Sequence, residues 1–376
     1  MRGLYIAFGA NFFLDRITEV TSNGIAKKIY NQINSFKRSG IHMDFYNPYS
    51  KRNQKIYRIE RRLPFSHLHR WDFEYSTISS YDFIYIRKSW YMDGDLIYFL
   101  KKVKRVKSSI KIIVEIPTYP YDKELTEIKS LPLVFKDKYW RNHLNLYVDK
   151  VVTYSRDKEV FKIPTLTVSN AINFTTLKRK HLTEHANEEE VNLIACSSLA
   201  YWHGYDRAIK GLANYYKDGQ NSRIVNLHIV GDGEEMEKYK KMIEEYNLNQ
   251  HVFLYGMLTG SELDKVYEQC EIGLDSLGRH RSGVEYNSSL KGKEYCAKGL
   301  LIISGVKTEL DYDEQYNYYF KVPADDSDLD FNNIIEFYHD ALSKESIQTI
   351  QKNIMRYAKT HFDYDVAMKP IINFIK

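Results

Sequence analysis

The sequence is poor in the residues that mark disulfide-bonded, fibrous and zinc-clustered proteins. Its 376 residues include 3 Cys, 8 Pro and 18 Gly, and the cysteines, Cys196, Cys270 and Cys296, lie far apart with no Cys-x-x-Cys pair. This usage argues against a disulfide framework or a zinc cluster and agrees with a reducing cytoplasm. Low-complexity tracts and repeats are also lacking, so we expect the whole chain to fold.

Long apolar runs are missing as well. The first apolar stretch, residues 4–8, ends at Gly9 and is too short for a signal peptide or a membrane span. We therefore expect a cytoplasmic protein. A chain of this length with 43% hydrophobic residues is too long for one compact core and suits two domains.

Charge is divided unequally along the chain. Residues 1–180 hold 33 Lys and Arg against 17 Asp and Glu, whereas residues 181–376 hold 21 against 32. A basic half attracts nucleic acid, an anionic membrane surface or a phosphorylated ligand. Its densest basic run is 101–107, and a further basic group consists of Arg58, Arg61 and Arg62.

Strand and helix patterns alternate twice along the chain, once before and once after an acidic joint at 183–190. Alternation of this kind predicts parallel sheets covered by helices on both faces. We expect an α/β protein with two doubly wound, Rossmann-like domains that face a central cleft. Their predicted bounds are 1–185 and 186–354, with about 355–376 crossing back to the first domain. Ligands of such sheets bind beyond the carboxyl ends of the strands.

The loop Gly231-Asp232-Gly233, which follows a predicted strand and opens a helix, has the features of a phosphate-binding loop. Glycines allow close backbone approach, and the amides of a helix N-terminus attract anions. An ordinary strand-to-helix turn fits the same residues. The fingerprint Gly-x-Gly-x-x-Gly is absent here and after the first strand, which disfavours a nicotinamide dehydrogenase.

The stretch 279–299 is the most informative part of the sequence. Ser288 or Ser289 is a good N-cap, so the first amides of the following helix should point beyond the preceding strand. Lys291 and Glu294 lie three residues apart on one helix face. Amides with a lysine suit a diphosphate, and the carboxylate can accept both hydroxyls of a ribose. A capped helix with a surface Lys-Glu pair is the structural alternative.

These patterns resemble the GT-B glycosyltransferases, specifically the family 4-like group of retaining nucleotide-sugar enzymes. The resemblance spans nearly the whole chain, and each motif matches in part. It implies that Lys291 holds the donor diphosphate and Glu294 the ribose. It also implies donor contacts from the matching glycine loop, base-binding loops and helix start, namely Asn23, Gly24, Gly231, Asp232, Gly233, Met257, Leu258, Ser288, Ser289 and Leu290.

Two departures concern the donor diphosphate. Ser198 stands where the family has an arginine, and His203 stands where it has a lysine. Because both family residues normally hold the diphosphate, its charge must be met elsewhere in this chain. We expect Lys291 to be the main cation, with His203 and Arg207 as helpers.

Two further departures concern the transferred sugar. Counting back the family spacing from Glu294 lands on Tyr286 and leaves Glu285 one position out of register, so either residue remains a candidate. In the first domain, Thr118 and Tyr119 stand where many relatives carry a histidine near the reacting sugar. By this resemblance they hydrogen-bond the transferred sugar or the acceptor.

Metal binding is the mark of the other glycosyltransferase architecture, which uses an Asp-x-Asp motif. Four pairs have that spacing, and none follows a convincing early strand: Asp93/Asp95, Asp311/Asp313, Asp326/Asp328 and Asp363/Asp365. The pair His67/His69 has no visible third ligand. We therefore predict an enzyme without metal or other cofactor, in which a lysine and helix amides neutralise the leaving group.

The predicted activity is transfer of a hexose from a nucleoside diphosphate sugar, with a UDP-sugar favoured, to a hydroxyl of a glycan or lipid-linked acceptor. The basic first half predicts peripheral attachment to an anionic inner membrane face. One alternative is a catalytically inactive glycosyltransferase-like partner, because several family residues are replaced. A nucleic-acid binder is another, since 32 tyrosines could stack on bases, but no recognition motif accompanies them. An epimerase on the same fold is a further alternative.

Overall fold

The computed structural model describes residues 1–8, 24–48, 63, 71–89, 91–122, 131–187, 189–217 and 223–376. Within these ranges the chain divides into two units. The N-terminal unit comprises Met1–Ser169 and Tyr364–Lys376, and the C-terminal unit comprises Asn170–Asp363.

The N-terminal unit contains one sheet whose described strands are β1 (Arg2–Ile6), β2 (His42–Tyr46), β3 (Phe83–Arg87), β4 (Lys111–Ile116), β5 (Lys150–Thr153), β6 (Glu159–Val160) and β7 (Ile163–Thr167). Their order is β2-β1-β3-β4-β5-β7-β6, with every described pairing parallel except that of β6 with β7. The helices are α1 (Gly24–Arg38), α2 (Gly94–Val106) and α3 (Leu131–Arg141).

Helices cover both faces of this sheet, as the central strand β3 demonstrates. Ile84 and Ile86 lie in a buried cluster with apolar residues of α2, whereas Phe83 and Tyr85 lie in a second cluster with those of α1. Consecutive residues of a strand point to opposite faces. The apolar residues at the first four positions of β3, Phe83 to Ile86, are therefore what a strand buried on both faces requires.

The C-terminal unit contains a second sheet, formed by β8 (Glu190–Cys196), β9 (Ile224–Val230), β10 (Val252–Leu254), β11 (Ile272–Leu274), β12 (Leu301–Ser304) and β13 (Tyr319–Lys321). The order is β10-β9-β8-β11-β12-β13, and all these pairings are parallel. Its helices are α4 (Tyr205–Lys217), α5 (Met236–Glu245), α6 (Gly260–Gln269), α7 (Leu290–Lys298), α8 (Phe331–Lys344) and α9 (Ile347–Phe362).

The chain ends in two short helices, α10 (Tyr364–Ala367) and α11 (Lys369–Ile375), which belong to the N-terminal unit. Ile371 and Ile372 are buried in the same cluster as α1. The Lys111 ammonium donates hydrogen bonds to the carbonyl oxygens of Phe374 and Ile375, at 2.8 and 3.0 Å. None of the described helices is long and apolar enough to cross a membrane.

The predicted fold class is confirmed, since two doubly wound, mainly parallel sheets are present. The units divide after Ser169, whereas the sequence pattern placed a boundary near 185. Residues after Ser169 belong to the C-terminal unit because they bond to it. The Ile172 amide donates to the Phe362 carbonyl at 2.8 Å, and the Thr183 amide donates to the Gln351 side chain at 2.8 Å.

Candidate functional site

The carboxyl ends of the parallel strands in the C-terminal unit lie along one edge of the sheet. The loops that follow them, 197–203, 231–233, 255–258, 275–289 and 305–307, are called the carboxyl rim below. Backbone hydrogen bonds join neighbouring loops of this rim. The Gly231 amide donates to the Gly256 carbonyl, and the Leu277 amide donates to the His203 carbonyl, both at 2.8 Å. The rim is thus a connected surface where a ligand of this fold would bind.

Close backbone contact explains one glycine of the rim. Gly231 has φ +133°, and a Cβ atom on it would lie 1.7 Å from the Ser197 carbonyl oxygen. A larger residue would therefore push the loops after β8 and β9 apart. The sequence analysis placed Gly231 among the donor contacts, but this close packing alone explains why the position holds a glycine.

The N-terminus of α7 lies at the rim and has the predicted cap. Ser289 accepts a hydrogen bond from the Gly292 amide at 3.4 Å and donates one to Asp275 at 2.6 Å. Asp275 directly follows β11 and is fully buried. This carboxylate therefore fixes the serine that begins the helix.

Lys291 is held at the same place by three polar groups. Its Nζ atom donates to Ser276 Oγ at 2.8 Å and to Tyr205 Oη at 3.4 Å, and lies 3.7 Å from Asp275 Oδ1. Its side chain is 18% exposed. The predicted lysine is thus a mostly buried cation beside a capped helix N-terminus.

Burial and like charge both act on this lysine. Burial lowers the pKa of Lys291 to about 8, with Asp275 opposing the shift and Arg279 adding to it. The pKa of His203 is lowered to about 3 by burial and by the charges of Lys291 and Arg279. His203 is therefore neutral at pH 7 and brings no positive charge to the rim.

Arg279 is a cation of the rim to which the sequence patterns gave no role. It begins a 3₁₀ turn, Arg279–Ser282, in the loop after β11. Its Nε atom is buried and has no hydrogen-bond partner within the ranges that the structure describes; the same holds for Asp275 Oδ2. Buried polar atoms without partners are rare in proteins, and a bound ligand is one way in which they are satisfied.

Glu294 lies one turn after Lys291 and is half-buried. Burial and the nearby Glu294 carboxylate raise the pKa of Cys196, the last residue of β8, to about 11. Glu294 is therefore close to the carboxyl end of the neighbouring strand. The predicted pair, Lys291 and Glu294, both lie near the ends of strands at the rim.

A cavity of about 540 Å³ opens beside the loops after β9 and β10. It is lined by residues of both loops and of the first turns of α5: Asp232, Gly233, Met236, Glu237, Lys240, Leu254, Tyr255 and Gly256. Of the residues predicted to bind the base, Asp232 and Gly233 line this cavity. Met257 follows it in the chain and is 71% exposed, and Leu258 is half-buried against the core.

Two predicted donor residues are engaged in structural hydrogen bonds. Ser288 accepts from Lys293 Nζ at 2.9 Å and donates to the carboxylate of Glu309. Arg207 is 1% exposed, and it donates to the Ser327 carbonyl at 2.6 Å and to the Leu277 carbonyl. Both side chains use these bonds to fix loops of the rim.

The residues before α7 differ in exposure. The Glu285 side chain is exposed, whereas Tyr286 is half-buried and its ring centroid lies 6.2 Å from that of Tyr312. The Lys307 amide donates to the Glu285 carbonyl at 3.2 Å, which joins this loop to the end of β12. Leu290, the first residue of α7, is 48% exposed.

The remaining predicted residues belong to the N-terminal unit. Thr118 and Tyr119 follow β4; Thr118 is exposed, and the Tyr119 ring packs edge-on against Phe161 at 5.8 Å. Gly24 is the exposed first residue of α1. Predicted residues outside the described ranges are Asn23, Arg58, Arg61, Arg62, His67 and His69.

The sequence also matches a known family over part of its length. Residues 178–274 match the family model described as Glycosyl transferases group 1. This segment includes the strands β8 to β11 and the first three loops of the carboxyl rim. No curated protein matches the chain significantly.

Solved structures match over the whole chain at low identity. Anabaena HepE in complex with UDP has a TM-score of 0.60 at 13% identity, covering 100% of this chain and 99% of that one. A glycosyltransferase from Rickettsia africae has a TM-score of 0.59 at 13% identity, with coverages of 100% and 97%. Sucrose-phosphate synthase from Thermosynechococcus elongatus has a TM-score of 0.59 at 12% identity, with coverages of 99% and 98%. The chain therefore has the GT-B fold of glycosyltransferases.

Proposed function

We propose that this protein is a glycosyltransferase that moves a hexose from a nucleoside diphosphate sugar to a hydroxyl of a glycan or lipid-linked acceptor. The observation that carries the proposal is the position of Lys291, a mostly buried cation at the capped N-terminus of α7 on the carboxyl rim. A UDP-sugar is our first candidate for the donor. HepE, which shares the fold, has been solved with UDP and with UDP-glucose.

Lys291 and the first amides of α7 would stabilise the leaving diphosphate. Cleavage of the anomeric bond adds negative charge to that group, and fixed positive groups lower the barrier most when the charge develops next to them. Ser276, Tyr205 and Asp275 already hold the ammonium in place. Little reorganisation would therefore be needed when the donor binds.

Glu294 would accept hydrogen bonds from the ribose hydroxyls. The helix places it one turn beyond Lys291, so that one helix can contact both the diphosphate and the ribose. Backbone groups of the loops after β9 and β10 would contact the nucleobase, with the cavity beside Asp232 and Gly256 as the candidate space. Glu285 or Tyr286 would contact the transferred sugar.

The reaction would proceed with retention, as in the family 4-like enzymes that the sequence resembles. We propose that a phosphate oxygen of the leaving group, and not a side chain of the rim, takes the acceptor proton. Lysine and helix amides would neutralise the leaving group without a metal ion. Thr118 and Tyr119 would hydrogen-bond the transferred sugar or the acceptor.

A peripheral position on the inner membrane face, in polysaccharide biosynthesis, would suit a lipid-linked acceptor. Two cations of the basic run 101–107 are engaged in structural bonds. Lys104 donates to the Ile110 carbonyl at 2.8 Å, and Lys107 donates to the Tyr81 carbonyl at 2.6 Å. The cations left for acidic headgroups on α2 are Lys101, Lys102 and Arg105.

An exposed apolar stripe on α3 adds support to this membrane proposal. Leu131, Phe135 and Tyr139 are 49%, 69% and 45% exposed, and their spacing of four residues puts them on one helix face. Lys138 is exposed next to them. Apolar residues that insert into the headgroup region beside cations are typical of helices that bind anionic membrane surfaces.

A thermal-shift panel of nucleoside diphosphates and their sugars tests the proposed activity. A ligand at 100 times its dissociation constant should add about 2.7 kcal/mol of stability. We expect the diphosphate of one nucleoside, with UDP as the first candidate, to stabilise the wild type. Lys291→Met should lose this stabilisation. Lys265→Met, which removes an exposed cation of α6, is the matched control. A wild type that no nucleoside diphosphate stabilises would refute the proposal.

A further inference from the structure

The three basic residues that follow Gly278 differ in how their charges are met. Arg281 donates to Asp206 at 2.9 and 3.1 Å and to Asp326 at 2.7 Å. His280 lies 3.1 Å from the same Asp326. Arg279 makes no side-chain hydrogen bond or ion pair to any residue that the structure describes, and its Nε atom is buried.

Arg279 acts on a second cation, Lys291, and both act on the same carboxylate, Asp275. Burial lowers the pKa of Lys291, and the charge of Arg279 lowers it further. The pKa of His203 is lowered by burial first and then by the charges of Lys291 and Arg279. Burial lowers the pKa of Arg279, and the negative charge of Asp275 opposes that shift. Two half-buried or mostly buried cations therefore act on one carboxylate, and that carboxylate is already bonded to Ser289.

Such an excess of buried positive charge is costly unless an anion compensates it. The N-terminus of α7 lies at the same place and adds a partial positive charge of its own. The unsatisfied donor lies in the loop after β11, and the same loop contacts the second cation through Ser276 and the helix end through Asp275. A group with several negative oxygens would satisfy all three.

We propose that Arg279 binds the diphosphate of the donor together with Lys291, and that it takes the role of the arginine that Ser198 replaces. This inference rests on the proposed function. An arginine presents a planar fork of donors that matches two phosphate oxygens, whereas a lysine acts as a point charge. Arg279 would thus fix the orientation of the diphosphate, and Lys291 would neutralise its charge.

Other basic side chains of the rim are less suited to this role. The Arg207 guanidinium already donates hydrogen bonds to the carbonyl oxygens of Ser327 and Leu277. Arg281 is neutralised by two carboxylates. His203 is uncharged at neutral pH because its pKa is about 3. Arg279 thus takes the place that the sequence resemblance assigned to His203 and Arg207.

Calorimetric titration of UDP and of uridine into the wild type and Arg279→Gln tests this assignment. We expect UDP affinity to fall roughly ten- to hundredfold, the usual loss for a charge-assisted hydrogen bond, while uridine affinity stays within about twofold. Arg279→Lys should recover part of the loss. Lys265→Gln removes the same charge at an exposed position of α6 and should change neither affinity.

The possible results separate this inference from the proposed function. An equal loss for UDP and uridine would mean that Arg279 supports the fold of the loop, and an unchanged UDP affinity would mean that it does not contact the diphosphate; either result overturns the inference and leaves the glycosyltransferase proposal intact. Failure of the wild type to bind UDP, ADP, GDP, CDP and dTDP would overturn both. If Arg279→Gln does not fold, the same comparison is made with Arg279→Lys.

Discussion

Each unit has a fully buried carboxylate at the carboxyl end of a central strand, with two cations beside it. In the N-terminal unit this is Glu115, at the end of β4, with Arg87 and Lys28. In the C-terminal unit it is Asp275, after β11, with Lys291 and Arg279. The two clusters have the same kinds of charges but differ in how completely their hydrogen bonds are made.

The Glu115 cluster is closed. Its carboxylate accepts hydrogen bonds from Arg87, from Tyr85 at 2.8 Å, from Tyr154 at 2.9 Å and from Gln32 at 3.1 Å. Burial alone would raise the pKa of Glu115, but the cations, Arg87 first, and these hydrogen bonds lower it to about 2. Both oxygens of Glu115 thus have hydrogen-bond partners, and the network fixes the ends of β3, β4 and β5.

The Asp275 cluster is open by comparison. Asp275 Oδ2 and Arg279 Nε lack partners in the described chain, and burial lowers the pKa of Lys291 although Asp275 opposes that shift. The comparison teaches that a buried ion cluster identifies a ligand site only when its groups are left unsatisfied. The predictions below test this difference.

The largest effect is expected for Glu115→Ala. The change leaves Arg87 and Lys28 without their carboxylate in a buried place, which typically costs about 3–5 kcal/mol in the free energy of unfolding. Asp275→Asn should cost less, about 1–3 kcal/mol, because asparagine keeps an acceptor for Ser289 and Lys291 keeps its hydrogen bonds to Ser276 and Tyr205. Urea unfolding of both variants measures the two values. Equal losses would contradict the distinction between a closed and an open cluster.

The next effect is expected for Lys291→Met and concerns catalysis. Removal of one fixed donor to a developing negative charge typically raises the barrier by about 3–4 kcal/mol, which is a rate loss of about 10²–10³. Donor hydrolysis or sugar transfer, followed in wild type and variant, measures it. A variant that keeps most of the wild-type rate while the donor site is saturated would show that Lys291 does not act on the leaving group.

A pH effect of about 3 kcal/mol is expected from Glu115. Its folded pKa of about 2 lies below the ordinary value of 4.5, so the stabilisation is complete above about pH 5 and is lost as the pH falls toward 2. Urea unfolding at several pH values from 6 down to about 3 should show about two thirds of this loss in the wild type. Glu115→Gln lacks the titrating group and should show a flatter profile; a matching slope would exclude Glu115 as its source.

The smallest effect is expected on the apolar stripe of α3. Phe135→Ser should weaken binding to vesicles rich in anionic lipid by about 1–2 kcal/mol, because an exposed aromatic ring would no longer enter the headgroup region. Co-sedimentation with anionic and neutral vesicles at low salt measures this. Phe253→Ser, a change of an exposed phenylalanine in the C-terminal unit, is the control. Equal binding by the wild type to both kinds of vesicle would rule out the membrane proposal.

The sequence patterns predicted the parts of the molecule that depend on local order. Ser289, one of the two serines predicted as the N-cap, caps α7, and Lys291 lies at the carboxyl rim because one helical turn fixes its place relative to that cap. The alternating strands predicted two parallel sheets. Short strands such as β6, β7 and β13 were not predicted, because they lack a long apolar run.

Residues that act through distant contacts were beyond the sequence patterns. The position of Arg207 in the sequence predicted a cation that assists Lys291 at the diphosphate. Its hydrogen bonds to the carbonyls of Ser327 and Leu277 depend instead on how three loops fold together. Arg279 is followed by two other basic residues, and its lack of a partner emerges only when Asp206 and Asp326 are seen to bind Arg281. Asp275 gave one usable signal, since it directly follows a buried strand.

The most direct test of the central claim, that Lys291 binds the donor diphosphate, is the proton balance of UDP binding. Burial holds the pKa of free Lys291 at about 8, and a bound diphosphate would raise it, because a nearby anion favours the charged form. Titration calorimetry at about pH 8.5, in two buffers of different ionisation enthalpy, should show proton uptake on binding by the wild type and none by Lys291→Met. Tight binding with the same proton balance in both proteins would contradict the claim.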